Sequence, residues 1–504
     1  MSLLQKTRSR PTIVTVAALL VIGFGLVLRL RLYLLNLSFW LDEAMLALNI
    51  TNHSFGGLAR PLDYDQGAPL GFLWLSKLSS IVFGNNEFSL RLLPFLAACL
   101  AIFVLWRVSA RINQPAGMLF ALLIFATSRH IVSYGVQFKQ YAVDVAVALL
   151  LYLVVLNLLD KKPAPKDYWL AGMHGGLSIW ISHPAVFTLG GMGLVLIGLA
   201  AKQRDWRRAG AYAAIASFWA LNFLLLYFIQ YRGLAANAFL TQFWAEFFMP
   251  LSASAPAWTL DRLVGLVYNP GGLAVELPAA VILVLLLAGM LLLIRKKQAW
   301  VWVFLLSLVL TLAASGLGKY PFGGRMGMFA VPGLLLCMGA GIDLVASLFG
   351  SRRTLGLVSS FLIAGVLAFN TVAFSVELIA RPKLSENIAP SMAFLQTNYR
   401  PGDVIYLYRM SIPAYRYYAP KYGLGGAQVI NGADHHLNRT GYQAELDQMK
   451  GDKRVWLLFS HLTDDEYVED RDFILKAANE IGEKKREFSE GGTFINLYLY
   501  DFAP

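Results

Sequence analysis

Two adjacent acids, Asp42 and Glu43 in SFWLDEAMLALNI (38–50), sit at the edge of the first long apolar run. A carboxylate there could take a proton from an acceptor hydroxyl, but an acid capping a helix and another in its first turn would serve a helix N-terminus equally well. Catalysis requires partners. LDYDQG carries Asp63 and Asp65 two residues apart, with Gln66 beside them, in a loop bounded by Pro and Gly; such hard oxygen ligands could hold a divalent cation. FKQYAVDVAVALLLYLVV (138–155) opens with Lys139 and Asp144 and is otherwise apolar. The two lie about 140° apart on an ideal helix, so each needs its own counter-charge, from another helix or from a substrate. GKYPFGGRMGMF (318–329) offers Lys319, Tyr320 and Arg325 around a Pro-Phe-Gly-Gly turn. Glycines allow close backbone approach and a guanidinium grips phosphate bidentately; the alternative is an interfacial turn whose cations meet lipid headgroups. His183 in SHP is a further candidate ligand, or a structural turn histidine.

Acids on one side of a cleft and cations on the other suit sugar transfer from a lipid phosphate. A carboxylate, Asp42 assisted by Glu43, removes the acceptor's proton as its oxygen attacks the anomeric carbon. Cations among Lys139, Lys319 and Arg325 stabilise the departing phosphate on the opposite face. Such a direct displacement inverts the anomeric centre.

The elements that must position these residues are membrane helices. Of the 504 residues 57% are hydrophobic and only 15% charged, with a mean hydropathy of +0.55, far from the roughly one-quarter charged content of soluble domains. Short basic clusters punctuate the apolar runs at 6–10, Arg107 with Arg111, 160–166, 201–208, 295–298 and 351–353. The positive-inside rule puts them in the cytoplasm. Consistent spans then run about 12–35, 89–107, 115–133, 138–159, 168–182, 185–200, 209–229, 276–294, 299–316, 327–348 and 354–378. That is about eleven, with the N-terminus inside and an uncleaved first span. Residues 68–84 read as a helix lying at the outer surface, because counting them as a span would invert every later basic cluster. Arg29 and Arg31, at the outer end of the first span, read as snorkelling to headgroups or contacting a lipid phosphate. Cys99 and Cys337 both lie in apolar runs, where packing is their expected part.

Residues 1–380 carry 28 Lys/Arg against 14 Asp/Glu, and residues 381–504 carry 15 against 17. The expected division is therefore a transmembrane catalytic part, 1–380, and a near-neutral extracytoplasmic α/β domain, 381–504. The second alternates helix SMAFLQTN, strand DVIYLY, helix AYRYYAPKYG, strand RVWLLFSH, helix DFILKAANEIG and a final strand pair. Its tyrosines, Tyr406, Tyr408, Tyr415, Tyr417 and Tyr418, could stack on sugars but equally suit packing. The 230–275 loop, with QFWAEFF, is a candidate lid. No nucleic-acid motif or ATP-binding P-loop is present, and the ionisable groups gather at the outer ends of the spans, not on interrupted helices at mid-membrane as in many transporters.

Asp42–Glu43 after the first span, APLGFLWLSKLSSIVFGNNEFSLRLLP (68–94), KQYAVD and YPFGGR before a further span together resemble the GT-C superfamily of membrane glycosyltransferases. The resemblance is to the glycosyltransferase family 39-like branch, with its protein O-mannosyltransferases and lipid A aminoarabinose transferases, and runs over most of residues 10–350. It implies a GT-C-like fold, a multi-pass plasma (inner) membrane protein with an extracytoplasmic site, a polyprenyl-phosphate sugar donor and a glycan, lipid or protein acceptor. It places the catalytic Asp at Asp42 and a second acidic position at Asp144. Similar enzymes often carry a basic or His-Pro-Pro element where this chain reads DQGAPLG, so the phosphate falls to Arg325 first and Lys139 second. No cofactor is required by this reading, with a divalent cation at Asp63 and Asp65 as an option. The competing expectations are a lipid-linked sugar flippase, and a polysaccharide polymerase or ligase using a diphosphate-linked donor.

Overall fold

The computed structural model describes residues 13–503 except 161–162, 275, 350–351, 381–385, 453 and 490–492. The first basic cluster (6–10), parts of those at 160–166 and 351–353, and the segment 381–385 at the expected domain division lie outside the described residues.

Helices fill the chain up to residue 380. They are α1 (Ile13–Leu34), α2 (Leu41–Asn52), α3 (Leu70–Phe83), α4 (Glu87–Ile112), α5 (Pro115–Thr127), α6 (Arg129–Tyr134), α7 (Tyr141–Asp160), α8 (Pro165–Ile181), α9 (Ala185–Lys202) and α10 (Trp206–Leu226). Then follow α11 (Arg232–Ala235), α12 (Ala238–Phe243), α13 (Ala255–Tyr268), α14 (Ala279–Arg295), α15 (Ala299–Gly316), α16 (Val331–Leu348) and α17 (Arg353–Ala380). Among the described residues eight helical stretches are long and apolar enough to cross a membrane. Each of the eleven expected spans coincides with a helix, but α5, α8 and α14 hold 13, 17 and 17 residues. That falls short of the roughly 20 residues needed for a straight crossing at 1.5 Å per residue. Hydropathy alone cannot see this, because Pro115, Ser128 and Pro278 set helix limits inside continuous apolar runs. Helix α3 has only 14 residues; it buries Leu70, Phe72 and Leu73 and exposes Leu78, Ile81, Val82 and Phe83, as a helix lying along a surface would.

The two ends of the helical part differ in charge. Arg111 donates to Asn157 Oδ1 at 2.6 Å and Arg208 to the Leu158 carbonyl at 3.1 Å, so basic turns gather where α4 and α7 end. The acids lie where those helices begin. At the centre α16 is buried from Val331 to Asp343, and glycines let its neighbours approach it closely. A Cβ on Gly289 of α14 would fall 1.8 Å from the Cys337 carbonyl oxygen, and one on Gly117 of α5 would fall 2.1 Å from that of Gly339. Close backbone contact of this kind is how helices associate where lipid offers no hydrophobic drive between them. Arg29 does not snorkel: it is fully buried, and its guanidinium donates to the carbonyls of Phe125 and Ala126 at the end of α5. Those carbonyls have no partner within their own helix, and burying them without a donor would be costly.

The C-terminal part adds α18 (Ala389–Asn398), α19 (Ile412–Tyr418), α20 (Thr440–Asp447) and α21 (Asp465–Ile481) around strands β1 (Val404–Leu407), β2 (Gln428–Asn431), β3 (Val455–Phe459), β4 (Glu483–Ser489) and β5 (Asn496–Asp501). The sheet order is β2-β1-β3-β5-β4. Strands β2, β1 and β3 are parallel, with Val404 level with Gln428 and Val455, and β5 joins β3 antiparallel. Strands β1 and β3 are buried throughout, as parallel strands covered on both faces must be. Strand β4, EKKREFS, closes one edge with charge. Strand β2 and helix α20 were not expected from the sequence. QVIN is a four-residue edge strand with no buried residue to give it an apolar pattern.

Candidate functional site

The carboxyl ends of β1 and β3 lead to α19 and His461, and both pack on the end of the helical part where the acids lie. Tyr418 of α19 accepts from the Phe39 amide at 2.8 Å and donates to Glu87. Asn387 accepts from the Ser38 amide at 3.1 Å, and Glu386 from the Leu41 amide at 3.1 Å. The last of these satisfies one of the free N–H groups opening α2. Helix α2 therefore starts with Glu386 at its tip and Asp42 and Glu43 in its first turn, three acids where the helix dipole favours them.

Glu43 is wholly engaged. Arg91, in the first turns of α4, grips it bidentately at 2.8 and 2.5 Å, the Phe138 amide donates to it at 2.5 Å and the Trp40 amide at 3.4 Å. It is 1% exposed. Each oxygen thus accepts two hydrogen bonds and neither faces open space, so against the expectation of a catalytic Glu43 its part is to fix α2 against α4 and the start of α7. Arg91 holds the preceding loop as well, donating to the carbonyls of Leu37 and Ser38. The sequence signal for Arg91 was a lone cation near the start of an apolar span, where charge is seldom idle.

Asp42 faces the opposite way. Its Oδ2 lies 2.8 Å from Arg325 Nη1 and 3.9 Å from Lys139 Nζ, with one-fifth of its side chain exposed. Burial pushes this carboxyl up, but the Lys139 ammonium and Arg325 guanidinium outweigh burial and hold it below the usual carboxylate range. Lys139 is itself lowered, by burial first, against support from Asp42; its Nζ donates to Gln66 Oε1 at 2.7 Å. Arg325 lies among three aromatic rings, 5.7 Å from the centre of Trp40, 5.9 Å from Tyr141 and 5.3 Å from Trp244. Such stacking holds the planar fork while leaving its edge free for an anion.

The turn before Arg325 depends on glycine. Gly323 and Gly324 have φ of 146° and 47°, and a Cβ on Gly323 would fall 2.8 Å from Phe247. The Phe322 amide donates to the Phe247 carbonyl at 2.7 Å, which brings the 230–275 segment, with α12 and α13, over the cation. Arg262 of α13 lies against Phe247 and Trp258 and against the same turn; its Nε makes no hydrogen bond and lies 4.0 Å from Asp261 Oδ2. Neither Trp244 nor Arg262 was singled out from the sequence. Their contacts with the Arg325 turn are long-range, which no local pattern announces.

The remaining candidates separate from this group. Lys319 is exposed and, among the described residues, forms no ion pair. Tyr320 is buried and spends its hydroxyl on the Met326 carbonyl at 2.9 Å, which makes it a brace of the turn. Asp63 pairs with His53 at 3.0 Å while Asp65 accepts from Asn237 at 2.7 Å. Tyr64 and Asp65, at φ of 60° and 51°, turn the two carboxylates apart, and among the described residues no three metal-ligating side chains converge. Asp144 and His183 share a second buried spot. Asp144 is 7% exposed, interacts with Ser182, and has one carboxylate oxygen without a hydrogen bond. His183 packs edge-on to Tyr231 at 5.0 Å with Nε2 unpartnered. Burial pushes its imidazole down to about 4, so it is neutral near pH 7 and offers no cation to a phosphate.

A helical part joined to a mixed α/β domain is the fold of the GT-C membrane glycosyltransferases, and this chain has that fold. A family model described as dolichyl-phosphate-mannose-protein mannosyltransferase matches residues 67–228, from the start of α3 through α10. The crystal structure of ArnT from Cupriavidus metallidurans bound to undecaprenyl phosphate superposes with a TM-score of 0.54 over 95% of this chain and 97% of that one, at 14% identity. The oligosaccharyltransferase of Archaeoglobus fulgidus, in complex with Zn and sulfate, superposes with a TM-score of 0.54 over 96% of this chain and 73% of that one, at 12% identity. No curated protein matches in sequence. At such identities the likeness is one of fold, and the chemistry rests on the side chains themselves.

Proposed function

We propose that this protein transfers a sugar from a polyprenyl-phosphate-linked donor to an acceptor hydroxyl on the extracytoplasmic side of the plasma membrane, with inversion and with Asp42 as general base. The observation that carries this reading is the 2.8 Å pair of Asp42 and Arg325, with Lys139 at 3.9 Å, which puts a base and two anion-binding cations within one small space. The likeness to ArnT bound to undecaprenyl phosphate supports a polyprenyl-phosphate donor.

The ion pair gives the reaction an order. With no donor, two cations hold Asp42 low and make it a weak base. A donor phosphate entering beside Arg325 competes for the guanidinium, and Asp42 loses part of the charge that suppressed its basicity. The carboxylate then accepts the acceptor's proton as that oxygen bonds to the anomeric carbon. The bond from that carbon to the phosphate oxygen breaks, and its electron pair leaves with the polyprenyl phosphate, neutralised by Arg325 and Lys139. Arg262, beside the same turn with its Nε 4.0 Å from Asp261 Oδ2, is the next cation a phosphate would meet.

Purified protein given a panel of radiolabelled polyprenyl-phosphate sugars and a membrane acceptor extract should move label in at least one combination, and Asp42→Asn should not. Movement of an intact lipid-linked sugar across a vesicle without transfer would establish a flippase instead. Transfer only from diphosphate-linked donors would establish a polymerase or ligase.

A further inference from the structure

His461 follows strand β3 with its backbone in the left-handed region, at φ of 62°, which a residue with a side chain seldom adopts and keeps only where its surroundings over-determine it. Two contacts hold it there. Nδ1 lies 2.8 Å from Glu386 Oε1, and the ring stacks on Trp40, 6.3 Å between centres and 25° between planes. Glu386 closes the arrangement, because its other oxygen accepts at 3.1 Å from the amide of Leu41, the residue after Trp40. The sheet order explains why this residue is the one that reaches across. Strands β2 and β3 flank β1 on opposite sides, so β1 and β3 border the switch point beyond whose carboxyl ends open α/β sheets receive ligands. Here an indole of the helical part lies against that end.

Trp40 in turn lies against the guanidinium of Arg325, 5.7 Å from the ring centre. Its indole N–H is buried and makes no hydrogen bond among the described residues, so packing alone sets the plane of the ring. Of the three rings around Arg325, Tyr141 contacts Tyr134 and Trp244 contacts Phe243 and Phe247, all within the helical part. Trp40 is the one stacked on a ring of the C-terminal domain. We infer that His461, fixed by Glu386, is a positioning residue for Arg325: by setting the plane of Trp40 it holds the guanidinium fork in the orientation that grips the donor phosphate. This rests on the function proposed above and adds that the C-terminal domain tunes the hold on the donor. Orientation matters because a guanidinium binds phosphate through two parallel N–H bonds, and a tilt of the plane loses one of them.

The probe is radiolabelled undecaprenyl phosphate, bound to the full-length protein in one detergent. Asparagine tolerates the left-handed backbone, so His461→Asn removes the ring with little strain, whereas His461→Phe keeps a ring to stack and loses only the bond to Glu386. His461→Asn should weaken binding about tenfold and His461→Phe should stay within about threefold of the wild type. Arg325→Lys has no planar fork to orient, so adding His461→Asn to it should weaken binding by less than about twofold more, whereas independent effects would multiply. A full further loss in the double variant, equal losses in His461→Asn and His461→Phe, or no loss in His461→Asn would each overturn the inference and leave Asp42 and Arg325 in their proposed parts. A wild type that binds no undecaprenyl phosphate would instead defeat the donor reading itself. Amide exchange at Leu41 separates positioning from undocking. It should be unchanged in His461→Asn, since Glu386 still accepts from that amide; faster exchange there would mean that the variant loosens the joint between the two parts, and the inference falls.

Discussion

Asp42 and Glu43 are neighbours in sequence and about 100° apart on α2, and that angle separates the acid proposed as base from one engaged in structure. Asp42→Asn keeps the shape and removes the base, so transfer should fall at least about 100-fold while donor binding persists; measured kcat and KM will separate the two. Glu43 with Arg91 should behave in the opposite way. Breaking a buried pair by Arg91→Ala leaves a stranded carboxylate, at about 3–5 kcal/mol, and should lower the melting temperature before any effect on chemistry. The double variant Arg91→Met with Glu43→Met should recover most of that loss. Arg325→Lys keeps the charge but loses the planar fork held by Trp40, Tyr141 and Trp244, so the donor KM should rise at least about tenfold, equivalent to about 1.4 kcal/mol. The acids and Arg325 could be singled out from sequence because charge at the end of an apolar run demands a reason. Which acid would face which cation was not legible, since that depends on the rotation of α2 against α4. Arg262 and Trp244 could not be found at all, because nothing local marks a residue by its contact with a turn about 60 or 80 positions further on.

Helices in this chain are delimited by backbone chemistry that hydropathy blurs. Apolar stretches were legible almost everywhere they occur, yet α5 stops at Thr127 because Ser128 turns the chain and caps α6, donating its hydroxyl to the Pro270 carbonyl and accepting from the Ile131 amide. Sequence gave a single apolar run there. The glycines of α14, α16 and α5 are a second feature that sequence shows only as composition. Gly289→Ala would drive a methyl group into the Cys337 carbonyl 1.8 Å away, a displacement that should cost about 1–3 kcal/mol or more. Gly198→Ala, on the same kind of helix but with nothing within 4 Å, should be neutral or slightly stabilising. Thermal unfolding of the two variants in one detergent compares them directly; equal midpoints would mean that α14 does not pack on α16 as described.

At the scale of the whole molecule, the C-terminal domain is fastened to the end that carries Asp42 by side chains that also organise α2. Tyr418 illustrates the coupling: its hydroxyl accepts from the Phe39 amide and donates to Glu87, so one atom joins the domain to both α4 and the segment entering α2. Sequence composition separated the two parts by charge but gave no hint of this joint, because Tyr418 reads as one of the five tyrosines singled out in a domain that holds eleven. All five are buried or nearly so, and their hydroxyls face Glu445, Asp470, the Leu424 carbonyl, Asn85 and Glu87, leaving packing and docking as their work. Tyr418→Phe keeps the ring and removes both hydrogen bonds, leaving the Phe39 amide unpaired and Glu87 with Lys421 at 3.8 Å, at about 1–3 kcal/mol. Because the lost bonds lie between the two parts, neither should unfold. Amide exchange at Phe39 and Leu41 should instead quicken by about tenfold or more, since a tenfold change follows each 1.4 kcal/mol, and exchange within β1 and β3 should stay as it was. If α2 is held in register from the C-terminal domain, transfer should fall in parallel with that local opening. Faster exchange throughout the sheet would mean instead that Tyr418 serves the domain's own core.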